Sequence, residues 1–305
     1  MLSIVICSIN TDYLSKIKEN ISSTIGVEYE LLVWNNLPEN KGICEVYNMM
    51  AAKAKFEYIC FVHEDLDFQT RDWGKKLVSL FESNTEIGVI GVAGCKYKSR
   101  VFSGWYTAIK ELDCCNIIHR FPWGDELLFM KPDDSKMLEE VVCLDGVFIC
   151  CKKQIWQQVK FDETNLTGFH FYDIDFSLKA TKYSAVVVTY EIDIMHITLG
   201  GDFGEKWVET CISYHLKNKG VLPYDKLSVV KDTTDKRIQL VWLDVLKNYK
   251  ISWRNKWRWV ALQNLFRHTV FFYPVLRFFL YRPTGARYFH RKYKARIQKK
   301  KQAKK

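Results

Sequence analysis

The feature that most restricts how this chain can fold is a recurring alternation of short apolar runs with stretches of helical spacing. Residues 2–7 (LSIVIC) form a β-branched run that stops at the small polar residues Ser8 to Asn10, and a polar segment with helical spacing follows. A second run, 29–34, stops at Asn35-Asn36; residues 44–54 read as a helix feeding a third strand at 58–62. After HEDLDF, Trp73, Leu77, Leu80 and Phe81 repeat at helical spacing, and IGVIGVAG at 87–94 reads as one further strand. Strands that alternate with helices predict an α/β fold with a mostly parallel sheet flanked by helices. Such sheets bind ligands at the carboxyl ends of their strands, so chemistry is expected in the polar residues that follow each run. Residues 97–140, with Gly104, Pro122, Gly124 and Pro132, read as an irregular surface excursion. Residues 141–150 read as a strand broken by Asp145-Gly146, 173–183 as a helix and 185–190 as another strand.

Charge divides the chain. Residues 251–305 hold sixteen Lys or Arg and no Asp or Glu, and subtracting those sixteen from the net +10 leaves −6 for the first 250. Residues 1–222 are therefore expected to form one domain and 223–305 a basic, aromatic helical extension. The longest apolar stretch of that extension, 269–280, is interrupted by Pro274 and Arg277 and falls short of the roughly 20 residues a spanning helix needs. MLSIVICSIN lacks a basic leader and a small-residue cleavage site, which predicts a chain that stays in the cytoplasm. Ten cysteines without a C-x-x-C pair or zinc spacing fit reduced, buried thiols.

Two segments carry candidate chemistry. In FVHEDLDF, 61–68, acidic residues follow a buried strand that would hold them still. Asp65 is the first candidate for a hard divalent cation, with His63, Glu64 and Asp67 as further ligands. A solvated acidic turn capping the next helix would look the same. In GFHFYDIDFSLKA, 168–180, Asp173 and Asp175 open a helix among aromatic residues, where apolar walls would raise a carboxyl towards the range of a general base; as helix caps they would be ordinary. His196 precedes Gly200-Gly201, where backbone could approach a phosphate, although a lone histidine is more often structural.

Taken in order, ICSIN at 6–10, ICEVYNMMAAKAKFEYICFVHEDLDF at 43–68, LDGVFICCKK at 144–153 and FHFYDID at 169–175 resemble the family-two, GT-A glycosyltransferases. The resemblance covers roughly residues 2–220 and is strongest to the bacterial branch annotated after a streptomycin-biosynthesis protein. It implies a GT-A (Rossmann-like) catalytic domain at 1–222 and donor contacts from Cys7, Ser8, Asn36, Asn48 and Glu64. Asn36 stands where many relatives carry aspartate, and helix packing is the plain alternative for Asn48. The Asp-x-Asp metal motif aligns as His63-Glu64-Asp65, with Asp65-Leu66-Asp67 as a competing alignment, and His196 matches a late histidine that some relatives place on the metal. Asp145 and Gly146 match an acceptor-side motif, Asp173 matches the catalytic base, and Tyr172, which replaces the glutamate before it, is expected on the acceptor side as well.

The expected reaction is inverting transfer of a sugar from a nucleotide-diphosphate donor to a hydroxyl of a glycan or lipid-linked acceptor in surface polysaccharide synthesis. Mg²⁺ or Mn²⁺ would neutralise the leaving phosphate, and Asp173 would take the acceptor proton. Two rivals are a nucleotidyltransferase, which would release pyrophosphate, and a nucleic-acid binder using Trp253, Trp257, Trp259, Tyr288, Tyr293 and the neighbouring cations. The acidic first 250 residues argue against nucleic acid as a partner. The extension is instead expected to rest on the anionic cytoplasmic face of a membrane, as a peripheral protein, or to pack on the domain as a helical cap.

Overall fold

A computed structural model describes residues 1–122, 124–198, 201–228, 230 and 233–281. β1 (Leu2–Ser8), α1 (Thr11–Thr24), β2 (Tyr29–Asn35), α2 (Ile43–Ala51) and β3 (Tyr58–Val62) follow the expected alternation. Next come β4 (Leu66–Phe68), α3 (Trp73–Ser83), β5 (Ile87–Gly91), β6 (Ala93–Cys95), β7 (Asp113–Phe121) and β8 (Gly124–Met130). β9 (Leu138–Glu140), β10 (Cys143–Leu144) and β11 (Phe148–Lys152) lead into α4 (Lys153–Val159), α5 (Tyr172–Ala180), β12 (Ala185–Thr189) and β13 (Ile194–Ile197). Helices α6 (Glu205–Lys217), α7 (Thr234–Leu246), α8 (Trp253–Leu262) and α9 (Phe272–Leu280) follow.

The main sheet has the order β2-β1-β3-β11-β5-β12-β9. It is mixed, which corrects the mostly parallel expectation: β11 runs antiparallel to both β3 and β5, and β9 antiparallel to β12. A strand buried on both faces shows the same unbroken apolar run whichever way it points, so FICCK could not reveal its direction. A second sheet, β10-β6-β7-β13-β4 with β8 beside β7, stands against the carboxyl edge of the first. It corrects two further expectations. The run 87–94 is two strands, one in each sheet, and 97–140 is not irregular throughout, because β7 and β8 form a hairpin in register from Cys115 opposite Met130 to Phe121 opposite Gly124. Gly124 takes a positive φ of 130° at the hairpin's end, a conformation that side chains rarely adopt.

Alternation along β1 sends side chains to two cores. Leu2, Ile4 and Ile6 pack with Ile17 and Ile21 of α1 and with Trp73 and Leu77 of α3. Val5 faces the other way, towards Val46, Tyr47 and Met50 of α2 and Phe176 of α5. The C-terminal helices share this second core through Trp242, Leu246, Trp259, Phe271 and Phe278. Trp207 stacks on Trp242 at 4.7 Å, and Trp259 meets Phe102 edge-on at 5.4 Å. The helical cap is thus present as far as residue 281, whereas Tyr288, Tyr293 and the final KKKQAKK lie outside the described residues. Among the described residues, no helix is long and apolar enough to cross a membrane. All ten cysteines are free thiols, and nine are buried.

Candidate active site

β3 is buried along its whole length, so the His63-Glu64-Asp65 turn at its end is held at a fixed edge of the sheet. The His63 backbone N–H donates to Val147 O at 3.2 Å, tying this turn to the one that enters β11. β13 pairs with β4 with His196 opposite Leu66, and the Ile197 N–H donates to Asp65 O at 2.9 Å. That ladder brings together two residues 131 apart in sequence: His196 Nε2 lies 3.2 Å from Asp65 Oδ2.

His63 reaches the same point from the other side. Its Nε2 is 2.8 Å from the Tyr172 hydroxyl, which in turn donates to Gly146 O at 3.1 Å. A phenol has one proton. With that proton on Gly146, Tyr172 accepts from His63 Nε2–H, which leaves the lone pair on Nδ1. Burial holds His63 below the usual imidazole range, so it stays neutral. Burial would lift the Asp65 carboxyl, but the hydrogen bond and charge of His196, with His63, hold it below the usual carboxylate range. His196 is raised in return, burial being outweighed by Asp65. One ligand atom each from His63, Asp65 and His196 lies within 4.8 Å of the others. Asp65 Oδ1 is buried with no hydrogen-bond partner. A buried carboxylate oxygen without a donor is costly, and a cation placed among these three groups would relieve it, so the donor set fits a divalent metal.

Asp173 follows Tyr172 at the start of α5 and meets the same Gly146. Its Oδ2 accepts from Gly146 N–H at 2.9 Å and its Oδ1 from Ile174 N–H at 2.9 Å. Burial, reinforced by the negative charge of Asp145, pushes its carboxyl up to about 7 against those donors. Asp145 accepts from the Trp105 indole N–H at 2.6 Å and from Val147 N–H at 2.9 Å. Gly146 is required by close approach, since a Cβ there would stand 2.1 Å from the Tyr172 hydroxyl. Asp175 turns away into an ion pair with Lys179 at 2.6 Å.

The other expected residues have different surroundings. Asp67 is drawn to α1, accepting from Asn20 Nδ2, and does not join the cluster, so the competing Asp65-Leu66-Asp67 alignment gains no geometric support. The Glu64 carboxylate caps the end of β1, accepting from Ser8 Oγ at 2.6 Å, Ile9 N–H at 3.2 Å and Asn10 N–H at 3.1 Å. Cys7 is half-buried beside it, its thiol pushed up to about 11 by burial and then by Glu64. Asn36 spends both ends of its amide on the Lys41 backbone, donating to O and accepting from N, each at 2.9 Å, which closes the loop after β2. Asn48 is likewise committed: it donates to Phe161 O and Glu163 and accepts from the Trp156 indole and Phe161 N–H. Its geometry is the helix-packing alternative. Gly200 lies outside the described residues.

Sequence reasoning passed over Trp105, His119 and Phe169. His119 comes opposite His196 in the β7–β13 ladder, the two rings 5.4 Å apart, and burial pushes its imidazole down to about 4. Phe169 lies exposed, its ring 5.5 Å from His63. Trp105 and His119 belong to the excursion read as irregular; the apolar start of β7, with Cys114, Cys115, Ile117 and Ile118, was the available signal for His119.

Residues 3–219 match the Glycosyltransferase like family, and the chain belongs to that family. No curated protein matches it significantly. Among solved structures it is similar to GalNAc-T7, determined with UDP, GalNAc and Mn²⁺, at 11% identity and a TM-score of 0.47, over 65% of this chain and 44% of that one. It is also similar to TarS of S. aureus, at 11% identity and a TM-score of 0.45, over 81% of this chain and 43% of that one. The chain thus spans less than half the length of either.

Proposed function

We propose that the protein is an inverting, metal-dependent GT-A glycosyltransferase of the streptomycin-biosynthesis-like branch, with residues 1–222 as catalytic domain and 223–305 as an accessory extension. It transfers a sugar from a nucleoside diphosphate to a hydroxyl of a glycan or lipid-linked acceptor, in surface polysaccharide synthesis. One observation carries this reading. Two carboxylates at one sheet edge are driven in opposite directions, Asp65 down beside two imidazoles and Asp173 up to about 7, and Tyr172 and Gly146 connect them. Groups whose environments separate their proton affinities in this way take separate roles as charge stabiliser and base.

His63, Asp65 and His196 would hold the metal, and a mixed imidazole and carboxylate set suits Mn²⁺ better than Mg²⁺, which prefers all-oxygen shells. When bound, such an ion neutralises charge developing on a leaving diphosphate. Tyr172 keeps the Nδ1 lone pair of His63 available. Asp173, ionised above about pH 7, accepts the proton of the attacking hydroxyl, a contribution of about 10²–10⁴ in rate. Glu64, Ser8 and Cys7 shape the end of β1 where the donor would lie, Asn36 and Asn48 support it from behind, and Asp145 and Gly146 face the acceptor side.

The test is a panel of nucleotide sugars incubated with the protein and Mn²⁺ or Mg²⁺, reading the nucleotide released and the anomeric configuration of the product. Nucleoside diphosphate with inversion is expected. Pyrophosphate release would establish the nucleotidyltransferase instead, retention would overturn the role of Asp173, and turnover in excess chelator would remove the metal.

A further inference from the structure

α8 and α9 have two unlike sides. Trp259, Val260, Val275 and Phe278 are buried against the domain. On the outer side Trp253, Trp257, Phe266, Phe272, Tyr273 and Leu280 are between 52% and 74% exposed. These are not scattered residues. Half-buried Phe279 joins Trp253 and Trp257, each 5.2 Å away, and Trp257 continues to Phe266 at 5.5 Å, so these four rings form one continuous strip, with Phe272, Tyr273 and Leu280 exposed on the same pair of helices. Arg254, Arg267 and Arg277 stand exposed around it, and residues 251–281 contain no Asp or Glu.

The surface is held in place from within. Ser252 Oγ and Asn255 Nδ2 both donate to Glu205 at 2.6 Å, anchoring the start of α8 on α6, and Lys256 Nζ donates to Phe278 O at 2.8 Å at the end of α9. A groove of about 520 Å³ runs along this face, with Lys250, Trp253, Lys256 and Leu280 in its walls. Tyr249 also lines it, and the Tyr249 hydroxyl is buried with no hydrogen-bond partner.

We infer that the outer face of α8 and α9 is a docking surface for an anionic lipid membrane. Trp253, Trp257, Phe272 and Leu280 enter the headgroup boundary, the arginines meet lipid phosphates, and the groove, walled by two lysines, receives a headgroup. Charge decides between occupants. A second copy of the chain in a two-fold contact would set this cationic face against itself; α8 and α9 carry no acidic residue, and Glu205 is already held by Ser252 and Asn255. Residues 282–305, eleven of which are Lys or Arg and none acidic, are the wrong sign to cover it and add to the attraction for anionic lipid. The inference does not depend on the catalytic reading.

The test is co-sedimentation of the full chain with vesicles of phosphatidylcholine alone or mixed with phosphatidylglycerol. Binding is expected to the mixed vesicles only and to disappear at high salt. The double variant Trp257→Ser with Phe272→Ser should weaken it on the order of tenfold or more while thermal unfolding stays unchanged, both side chains being exposed. Arg254→Glu with Arg267→Glu should weaken it comparably. Equal binding by the aromatic variant and the unchanged chain would overturn the proposal, since charge on residues 282–305 would then suffice. Indifference to both vesicles would overturn it as well. A concentration-dependent dimer, or capture by polyglutamate with vesicles ignored, would assign the face to a protein partner.

Discussion

Replacing Asp173 by asparagine should weaken catalysis and strengthen the fold, with a pH dependence that follows from burial. The carboxyl ionises at about 7 in the folded chain and near 4 when unfolded. As pH rises the unfolded chain therefore loses this proton first. The penalty for folding is absent below about pH 4, grows between about 4 and 7, and is complete above about 7, where it reaches about 4 kcal/mol. Asparagine carries no charge at any of these values and escapes the penalty. It gives up one hydrogen bond, because its single amide oxygen can serve Ile174 N–H or Gly146 N–H but not both, at about 1–3 kcal/mol. Asp173→Asn should then be less stable than the unchanged chain at pH 4 and more stable, by about 1–3 kcal/mol, at pH 8. Urea unfolding of both proteins across that range, in chelator, measures the difference directly. A difference that stays constant with pH, or one that moves against the variant as pH rises, would refute the burial argument. Transfer by the unchanged chain should rise with pH and level off above about 7, and the variant should keep donor affinity while losing turnover.

Asp65→Asn should reduce Mn²⁺ affinity, read by titration calorimetry, by about a hundredfold or more, and activity with it; unchanged affinity would remove Asp65 from the metal set. Tyr172→Phe deletes the hydroxyl between His63 and Gly146, and should lower Mn²⁺ affinity about tenfold without unfolding the chain; an unaltered affinity would show that His63 needs no such support. Asn48→Ala leaves the Trp156 indole and the Phe161 backbone without partners and should cost about 2–4 kcal/mol of stability. Weakened donor binding with stability intact would instead restore its donor-side role.

The parts of the fold that could be read in advance are those where local pattern and global position agree. β1, β2 and β3 are apolar runs that end in polar residues, and the helical repeat of Trp73, Leu77, Leu80 and Phe81 is the buried stripe of α3. Asp65 and Asp173 stood out because a carboxylate beside a buried strand or among aromatics needs a reason. What escaped depends on pairing. Gly91 and Ala93 fall in different sheets although nothing in IGVIGVAG marks the change. The β7–β8 hairpin was hidden because the outward positions of β8 carry apolar Leu127 and Phe129, so the alternation of its burial does not show as an alternation of residue type. The neighbours of Asn48 and Asp67 are residues up to 115 positions away, so no motif could say whether their side chains were free, whereas Asn36 closes a local loop onto Lys41.

The reversed strand β11 also bears on the order in which the protein can be made. It is the middle strand of seven, yet it pairs Cys150 with Cys60, ninety positions earlier in the chain. Until residues 148–152 have been synthesised, β3 and β5 have no strand between them, and each presents an open apolar edge. A nascent chain stopped before β11 would hold Asp65 and Asp145 but neither Asp173 nor His196, and would expose two sticky edges to its neighbours. Pulse-labelled amide exchange during refolding should accordingly find the β3 amides that face β11 protected no earlier than β11 itself, because the loop that joins the two strands is long and its closure is slow.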